Sequence, residues 1–260
     1  MKVQDGCDYN CSFCTIPLAR GGSRSGSMAS VVARVEELAT TGVQEIVLTG
    51  VNLSDFGLQG PERERREDFT QLVQALDSVA DIHRFCISSC EPNLLTDGVL
   101  ETVAASARFM PHFHIPLQSG SDKILGLMRR RYRRALYASR VARIKELMPH
   151  ACIGVDVIVG FPGETDADFL ETYTFLNELP VGYLHVFPYS ERPDTLAPTL
   201  PSRVPDRERH KRTTQLRSLS KKKKRFFYEQ HVGLETEVLF EDDVTDGRME
   251  GFIPTTFGWQ

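Results

Sequence analysis

Hydrophobic and polar positions along the chain follow two alternating periods, one typical of strands and one typical of helices. Short β-branched or apolar runs predict strands over residues 3–5, 45–50, 84–89, 113–117, 153–160 and 183–187. Helical spacing predicts helices over 31–39, 69–76, 97–107 and 166–179, together with a stretch that carries a basic interruption and ends near residue 148. The run at 153–160 is nearly all apolar, as expected for a strand buried on both faces.

The order of these elements predicts an α/β fold. Strands that alternate with helices form a parallel sheet with right-handed crossovers, and six such units predict a partial (βα)6 barrel. The active site of a barrel of this kind lies at the carboxyl ends of its strands. Polar and glycine-rich residues follow the predicted strands at 7–14, 49–50, 89–91, 118–121, 160–164 and 189–190. We therefore expect the functional site at that end.

The last part of the chain has a different pattern. Residues 203–231 predict one long, polar and charged helix, and residues 233–241 alternate like a strand. We therefore expect a first domain over 1–231, which includes the long helix, and the beginning of a small β domain over 232–260.

Composition excludes several classes of protein. The 260 residues include 31 Lys plus Arg and 35 Asp plus Glu, which gives a net charge of −4 with 41% hydrophobic residues. Such a chain is not intrinsically disordered and not basic overall, although a local basic face is compatible with it. It has no apolar run of about 18 residues for a membrane span, and no signal-peptide core at its start. We expect a cytoplasmic protein with no membrane partner.

Two basic runs stand out against this acidic average. They comprise Arg129, Arg130, Arg131, Arg133 and Arg134, and Lys221, Lys222, Lys223, Lys224 and Arg225. Runs of charge are commonly solvated faces, but aromatic residues next to both runs also suit stacking on the unpaired bases of an RNA loop. We predict that these residues bind RNA phosphates.

Three of the six cysteines lie within eight residues, in the spacing Cys7-x3-Cys11-x2-Cys14. Clustered thiols in a reducing compartment indicate a metal more than a disulfide. A coincidental cluster, a redox pair at Cys11 and Cys14, and a structural zinc are the alternatives. A cubane iron–sulfur cluster held by only three thiolates would keep one iron open, which is typical of a catalytic site.

The segments around these cysteines resemble a known family. Those segments are DGCDYNCSFCTIPLARG at 5–21, LTGVN at 48–52, SSCEP at 88–92, HIPLQSGS at 114–121, MRRRY at 128–132 and GFPGET at 160–165. The cysteine spacing resembles the radical S-adenosylmethionine superfamily, and the other segments resemble its methylthiotransferases. The residues around Cys7 and Arg20 are most similar to the branch that acts on threonylcarbamoyladenosine 37 of tRNA. The isopentenyladenosine-tRNA and ribosomal-protein branches are close relatives.

The resemblance implies both cofactors and their ligands. Cys7, Cys11 and Cys14 would hold a [4Fe–4S] cluster whose open iron takes the methionyl group of S-adenosylmethionine, from which one electron generates a 5′-deoxyadenosyl radical. The residues implied to contact this cofactor are Phe13, Thr49, Gly50, Ser89, Glu91, Gln118, Gly160 and Phe187. The alternatives are that Ser89 and Gln118 cap turns, and that Glu164 is a first-turn helix acid favoured by the dipole.

The implied reaction is methylthiolation at carbon 2 of threonylcarbamoyladenosine in tRNA. Its implied partners are the tRNA anticodon loop and a one-electron donor such as flavodoxin or ferredoxin. The alternatives are a methylthiotransferase of the other two branches, a core recruited to another radical reaction, and an RNA-binding homologue with a structural cluster.

The family pattern also differs from this chain at both ends. Methylthiotransferases carry an N-terminal domain with three further cysteines, whereas the first predicted strand here begins next to Met1, so we expect that domain to be absent. We expect Cys86, Cys90 and Cys152 to be buried structural thiols rather than ligands of a second cluster. We therefore expect this chain to cleave S-adenosylmethionine but not to complete methylthiolation. GRMEGF at 247–252 resembles the opening of the RNA-binding TRAM barrel, and we expect the chain to stop inside it.

Overall fold

Parallel strands arranged in chain order lie at the centre of the fold. The computed structural model describes residues 1–59, 62, 64–235, 237–245 and 248–252, and describes side chains as far as residue 240. The strands are β1 (Gln4–Asp5), β2 (Arg24–Ser25), β3 (Glu45–Leu48), β4 (Leu58–Gln59), β5 (Glu64–Arg65), β6 (Arg84–Ile87), β7 (His112–His114), β8 (Cys152–Val159), β9 (Tyr183–Pro188), β10 (Leu239–Thr245) and β11 (Arg248–Phe252).

Backbone pairing places the main strands side by side in the predicted order. Strands β3 and β6 are parallel, and β7, β8 and β9 form a second parallel set. A parallel bridge from Ser89 to His114 joins the two sets, and another from Lys2 to Thr49 adds the first strand. The predicted parallel α/β arrangement is confirmed.

Two strands differ from their predictions. The prediction for residues 3–5 is a parallel barrel strand, but β1 itself pairs antiparallel with β2. The parallel contact with β3 lies just before it, in the Lys2–Thr49 bridge and the bond from the Met1 amino group to the Val47 carbonyl. Strand β7 ends at His114 rather than at residue 117, because Pro116 has no N–H for a regular ladder. The N–H groups of Ile115 and Leu117 still donate to β8.

Helices connect these strands and cover the sheet. They are α1 (Ile16–Arg20), α2 (Met28–Ala39), α3 (Phe69–Asp77), α4 (Asp97–Ala105), α5 (Asp122–Leu127), α6 (Arg134–Leu147), α7 (Asp166–Glu178) and α8 (Asp206–Glu229), with short 3₁₀ turns at Leu53–Asp55 and Ala197–Thr199. Side-chain caps begin several of them. The Ser27 hydroxyl accepts from the Ser30 N–H at the start of α2, and Asp68 forms a capping box with Gln71 at the start of α3.

The long helix α8 confirms the predicted charged helix and shows how it packs. Its inward stripe begins with Arg209 and Arg212 and continues with Leu216, Leu219 and Phe227, all of them buried. Spacings of three, four and eight residues put these side chains on one face. Because the first two are arginines, hydrophobicity alone does not reveal where this buried face begins.

The segment after α8 pairs later than its pattern predicts. The alternating residues 233–241 predict a strand, whereas β10 begins at Leu239 and pairs antiparallel with β11. Before that point, the Arg84 guanidinium donates to the Glu237 carbonyl at 3.1 Å, so this stretch is bonded to the beginning of β6. Gly247 and residues 253–260, which belong to the predicted TRAM-like segment, lie outside the described residues.

The start of helix α7 supports a prediction about stability in acid. Burial opposes ionisation of Asp168, but hydrogen bonds from Lys123, Thr165 and Ser121 outweigh it and lower the pKa of the carboxyl to about 2. A carboxyl whose pKa is lower in the folded state stabilises the fold above its unfolded pKa, and this stabilisation is lost as the pH falls towards the folded value.

We therefore expect the free energy of unfolding of the wild-type protein to fall between about pH 4 and pH 2, and to fall less steeply in Asp168→Asn. Urea titrations at several pH values measure this slope. Equal slopes in the two proteins would contradict the assignment. Asp122→Asn, at the first position of α5, is the matched control in this neighbourhood.

Candidate metal and cofactor site

The three clustered cysteines lie on a loop that leaves β1 at the carboxyl end of the barrel. Gly6 turns the chain there with a positive φ of 69°, and a Cβ at this position would lie 2.0 Å from the Gly22 carbonyl oxygen. Only glycine fits such a turn. The Cys7 N–H donates to the Gly21 carbonyl at 3.1 Å, so the loop is closed against the residues that follow α1.

Each of the three sulfurs receives an N–H hydrogen bond. The Tyr9 N–H donates to Cys7 Sγ at 3.4 Å and the Ile16 N–H donates to Cys14 Sγ at 3.5 Å. Burial raises the pKa of the Cys7 thiol to about 11, so a metal must displace its proton. N–H groups aimed at sulfur are among the features that set the properties of an iron–sulfur cluster.

The positions of the sulfurs can be compared with the geometry of a zinc site. Four ligands around one zinc lie about 3.8 Å apart when the Zn–S distance is about 2.3 Å. Among the described residues, Cys7, Cys11 and Cys14 do not form a set whose ligand atoms all lie within 4.8 Å of one another. The three sulfurs therefore do not form a preassembled tetrahedral site for one ion.

A buried guanidinium, that of Arg130, lies against the sulfur of Cys11. Arg130 has only 4% of its side chain exposed, and its Nη1 donates to Cys11 Sγ at 3.1 Å. Its Nη2 forms an ion pair with Glu91, and its Nε donates to the Tyr132 hydroxyl at 3.1 Å. Burial alone would lower the pKa of Arg130, but Tyr132, Glu91 and Cys11 around it raise the pKa, so the group stays charged.

A cavity of about 340 Å³ opens next to the cysteine loop. It brings together three of the residues implied to contact S-adenosylmethionine, namely Phe13, Gln118 and Phe187. Asp156 and Arg192 also line it, so the cavity offers apolar walls with polar groups of both charges. Such a mixture is typical of sites for small polar molecules with a ring.

The other residues implied to contact the cofactor lie at the same ends of the strands but do not line this cavity. Thr49 and Gly50 follow β3, where Thr49 bonds to the backbone of the first strand. Ser89 follows β6 and bridges to β7, and Gly160 follows β8. Glu91 is bonded to Arg130 as described above.

Gln118 does more than cap a turn. Its φ is +67°, a conformation that is uncommon for a residue other than glycine. Its N–H donates to the Asp156 carbonyl at 2.8 Å and its carbonyl accepts from the Ile158 N–H at 2.9 Å. The backbone of Gln118 is thus held by β8, at a position where the residue lines the cavity.

The prediction that Glu164 is a first-turn helix acid is wrong. Helix α7 begins at Asp166 with Thr165 as its N-cap, so Glu164 lies before the helix. Its side chain is fully buried, and it accepts from the Gly160 N–H at 2.6 Å and from Arg212 Nη1 at 2.6 Å. Burial raises the pKa of this carboxyl, although Arg212 and Gly160 oppose the effect.

The first basic run divides between the interior and the surface. Arg130 is buried next to Cys11, and this removes it from the predicted RNA-binding set because a guanidinium enclosed by protein cannot reach a phosphate. Arg134 is half-buried and pairs with Glu171 at 2.5 Å. Arg129, Arg131 and Arg133 are exposed. Arg131 also lies over the Tyr9 ring, with 4.1 Å from its Cζ to the ring centroid.

The second basic run lies at the opposite end of the barrel. Lys223 is half-buried and donates to the Asn177 and Leu179 carbonyls, at the end of the helix that returns to the start of β9. Lys221, Lys222, Lys224 and Arg225 are exposed around it. Because the cysteine loop lies at the carboxyl ends of the strands, the two basic runs do not form one continuous surface.

The remaining cysteines lie apart from the loop. Cys86, Cys90 and Cys152 are buried, and burial raises the pKa of each thiol to about 12. Thiols in such surroundings are inert as nucleophiles.

The sequence reasoning did not assign Asp156 or His114 to the site. Asp156 interrupts the apolar run of β8, and a single carboxylate on a strand predicted to be buried is a signal of function because burying a charge is costly. His114 is the last residue of β7 and is half-buried next to it. Arg209 and Arg212 were also missed, since charged helices are usually solvated.

The structure thus has a parallel fold, a cysteine loop at the carboxyl ends of its strands and an adjacent cavity. Together these features define the core of an enzyme that uses an iron–sulfur cluster and S-adenosylmethionine in one site. The chain belongs to the radical SAM superfamily, whose family model matches residues 1–176. This family and its structural relatives bind a [4Fe–4S] cluster and S-adenosylmethionine.

Individual relatives are more specific. The chain is 41% identical over 239 residues to the threonylcarbamoyladenosine tRNA methylthiotransferase MtaB of Aquifex aeolicus, a match covering 92% of this chain and 57% of the relative. It is 32% identical to the tRNA-2-methylthio-N(6)-dimethylallyladenosine synthase of Desulfitobacterium hafniense, a match covering 99% of this chain and 58% of the relative. The chain thus spans somewhat more than half the length of these curated relatives.

A solved structure supports the fold. The radical S-adenosylmethionine methyltransferase TsrM from Kitasatospora setae aligns with a TM-score of 0.61 at 18% identity, over 76% of this chain and 38% of that chain. In the part of the chain that the structure describes, no helix has the length and apolar character needed to cross a membrane.

Proposed function

We propose that this chain is the radical core of a tRNA methylthiotransferase that acts at carbon 2 of threonylcarbamoyladenosine 37. The observation that carries the proposal is the cysteine loop, whose three buried or half-buried sulfurs each accept an N–H bond beside a cavity lined by Phe13, Gln118 and Phe187. The names of the relatives and the segments quoted above support the substrate. We propose methylthiolation as the activity of the whole protein to which this radical core belongs.

The residues have separate roles in this proposal. Cys7, Cys11 and Cys14 hold the cluster, which together with S-adenosylmethionine supplies the radical chemistry when both are bound. Arg130 directs an N–H to Cys11 Sγ and holds Glu91, and thereby positions the loop. Phe13 and Phe187 provide apolar walls for the adenine, and Gln118 provides a hydrogen-bonding side chain.

Polar partners of the cofactor complete the site. Thr49, Gly50, Ser89 and Glu91 follow the strand ends, and we assign them to the methionyl and ribose groups. Gly160, which follows β8, is assigned to the adenine together with Phe13 and Phe187. Glu91 is bonded to Arg130, so any hydrogen bond it makes to the cofactor uses its remaining acceptor capacity.

The proposed partners are a tRNA anticodon loop and a one-electron donor such as flavodoxin or ferredoxin, in the cytoplasm. The exposed Arg129, Arg131 and Arg133 lie on the same side as the cysteine loop, and we assign them to tRNA phosphates near the target base. Lys221, Lys222, Lys224 and Arg225 would contact a more distant part of the RNA, since they lie at the other end of α8.

Anaerobic reconstitution of the protein tests the radical chemistry. We expect about four iron and four sulfide per chain and 5′-deoxyadenosine in the presence of a reductant. Cys11→Ala should lose both, whereas Cys86→Ala, which changes a buried thiol outside the loop, should retain both. A fully loaded cluster that releases no 5′-deoxyadenosine would contradict the proposal.

Nucleoside analysis of tRNA from a strain lacking the gene identifies the substrate. We expect the methylthio group to disappear from threonylcarbamoyladenosine and to persist on isopentenyladenosine. The reverse result would assign the chain to the second candidate function, the dimethylallyladenosine branch, which the 32% identical relative favours. Unchanged nucleosides would exclude both.

A further inference from the structure

Three side chains of metal-ligating types converge inside the barrel, on strands other than the one that leads into the cysteine loop. His114 comes from β7, Asp156 from β8 and His185 from β9, and these strands are neighbours in register. Side chains two residues apart on a strand face the same side, so all three lie on one face of the sheet. One ligand atom from each lies within 4.8 Å of the others.

The distances within this cluster are those of side chains that could share one metal ion. His114 Nε2 lies 2.8 Å and His185 Nδ1 lies 3.4 Å from Asp156 Oδ1. Nevertheless, His114 Nε2 is buried and forms no hydrogen bond with any described residue, because the ring is not oriented to donate to the carboxylate. Ligands at about 2.0–2.2 Å from one ion are separated by about 2.8–3.1 Å when they meet at right angles and by about 3.3–3.6 Å in a tetrahedron.

Aromatic packing holds the two imidazoles in place. The Tyr183 ring lies against His185, at 5.1 Å between ring centroids, and edge-on to His114 at 6.4 Å. Its hydroxyl bonds to His112 Nε2 at 2.9 Å. Gly154 makes room for this ring, since a Cβ there would lie 2.3 Å from the Tyr183 hydroxyl oxygen. Neighbours that fix ligand orientation are a general feature of metal sites.

The cluster lies between two cavities. Asp156 lines the cavity that also contains Phe13 and Gln118, whereas His114 and His185 line a separate cavity of about 330 Å³. About half of the His185 side chain is exposed. An ion therefore has a path to the cluster that does not pass the cysteine loop.

We propose that His114, Asp156 and His185 form a binding site for one divalent first-row transition ion, of the class of Zn²⁺ or Fe²⁺. Two imidazoles and one carboxylate suit these ions, whereas Mg²⁺ and Ca²⁺ require oxygen ligands. With neutral imidazoles, the bound ion keeps one positive charge. Three protein ligands leave at least one position open, and that position takes an oxygen donor such as water or an anionic group entering the barrel.

Cobalt titration of the whole chain tests this site. The Cys7→Ala/Cys11→Ala/Cys14→Ala background removes the competing thiolates, and circular dichroism checks that it is folded. We expect one equivalent of Co²⁺ with a visible ligand-field spectrum that lacks thiolate charge-transfer bands. Loss of an outer-shell partner alone weakens metal affinity by roughly 10–100-fold, so adding His114→Gln or Asp156→Asn should weaken it by more than about 100-fold. His210→Gln, on the exposed face of α8, should leave it unchanged.

Metal analysis of the wild-type protein provides a second measurement if that background does not fold. The cluster-loaded protein should contain one zinc, or one iron beyond those of the cluster, and His185→Gln should lose only that ion. Equal metal binding with and without these substitutions, or no binding at millimolar Co²⁺, would overturn the proposal. Release of 5′-deoxyadenosine is measured separately, so failure of the metal site and failure of the proposed function are distinguishable.

Discussion

Arg130→Met is expected to lower the free energy of unfolding by about 3–5 kcal/mol, because it removes one partner of a buried ion pair. The guanidinium is 4% exposed and Glu91 15% exposed, so the substitution leaves a carboxylate largely shielded from water. The Tyr132 hydroxyl and Cys11 Sγ also lose a donor. We further expect less iron per chain after reconstitution, because the loop loses the bond from Arg130 to Cys11 Sγ, one of its links to the residues after α5.

Urea denaturation and iron analysis measure these effects, and the chain provides a matched control. Arg131 is the next residue, but its side chain is exposed, donates to the Asp8 carbonyl and lies over one face of the Tyr9 ring. Arg131→Met should therefore cost less than about 1 kcal/mol. An equal loss in both variants would show that the burial of Arg130 has no special effect.

A double variant separates the ion pair from general damage to packing. If the cost of Arg130→Met comes from an uncompensated Glu91, then Arg130→Met/Glu91→Leu should be more stable than Arg130→Met alone. Buried pairs replaced by apolar residues are often neutral or stabilising. A double variant less stable than either single variant would contradict this explanation.

Arg212→Met is expected to have a comparable effect on the other side of the site. Glu164 is fully buried and Arg212 is 6% exposed, so removal of the guanidinium leaves the carboxylate with only the Gly160 N–H as a described donor. We expect a loss of about 3–5 kcal/mol in the free energy of unfolding, measured by urea denaturation. Helix α8 should also separate more readily from the loop after β8, which hydrogen exchange of Gly160 and Glu164 amides would detect.

The adjacent Lys211 provides the control for this second prediction. Its side chain is 64% exposed and, among the described residues, pairs only with Glu208 at 3.5 Å, so Lys211→Met should change stability by less than about 1 kcal/mol. Adding Glu164→Gln to Arg212→Met should recover part of the loss, since a neutral amide costs less to bury than a carboxylate. No recovery would indicate that Arg212 stabilises the fold through Asp166 instead.

Local patterns were enough to predict the frame of the barrel. The strand at 153–160 and the helix at 166–179 correspond closely to β8 (Cys152–Val159) and α7 (Asp166–Glu178). Apolar periodicity reports which face of an element is buried, and this property depends on neighbours along the chain. The spacing of Cys7, Cys11 and Cys14 is local in the same sense, so it indicates a shared metal group before any fold is known.

Short or irregular strands were harder to predict. Strand β1 has two residues, and its pairing with Arg24–Ser25 depends on the turn at Gly6 rather than on hydrophobic alternation. Similarly, the charged segment before β10 alternates like a strand, but Arg84 binds the Glu237 carbonyl there. In both places a tertiary contact outweighs the local pattern.

By itself, the sequence determined the α/β class, the order of the main parallel strands, the cysteine loop and the family, since each depends on residues close together in the chain. Only the tertiary structure decided which charged residues are buried and which ligands meet. Arg130 and Cys11 are 119 residues apart, and Arg212 and Glu164 are 48 apart. His114, Asp156 and His185 likewise meet only because three strands are neighbours. The physical reason is that periodicity describes the burial of a face, whereas the partner of a buried charge depends on how distant faces pack together.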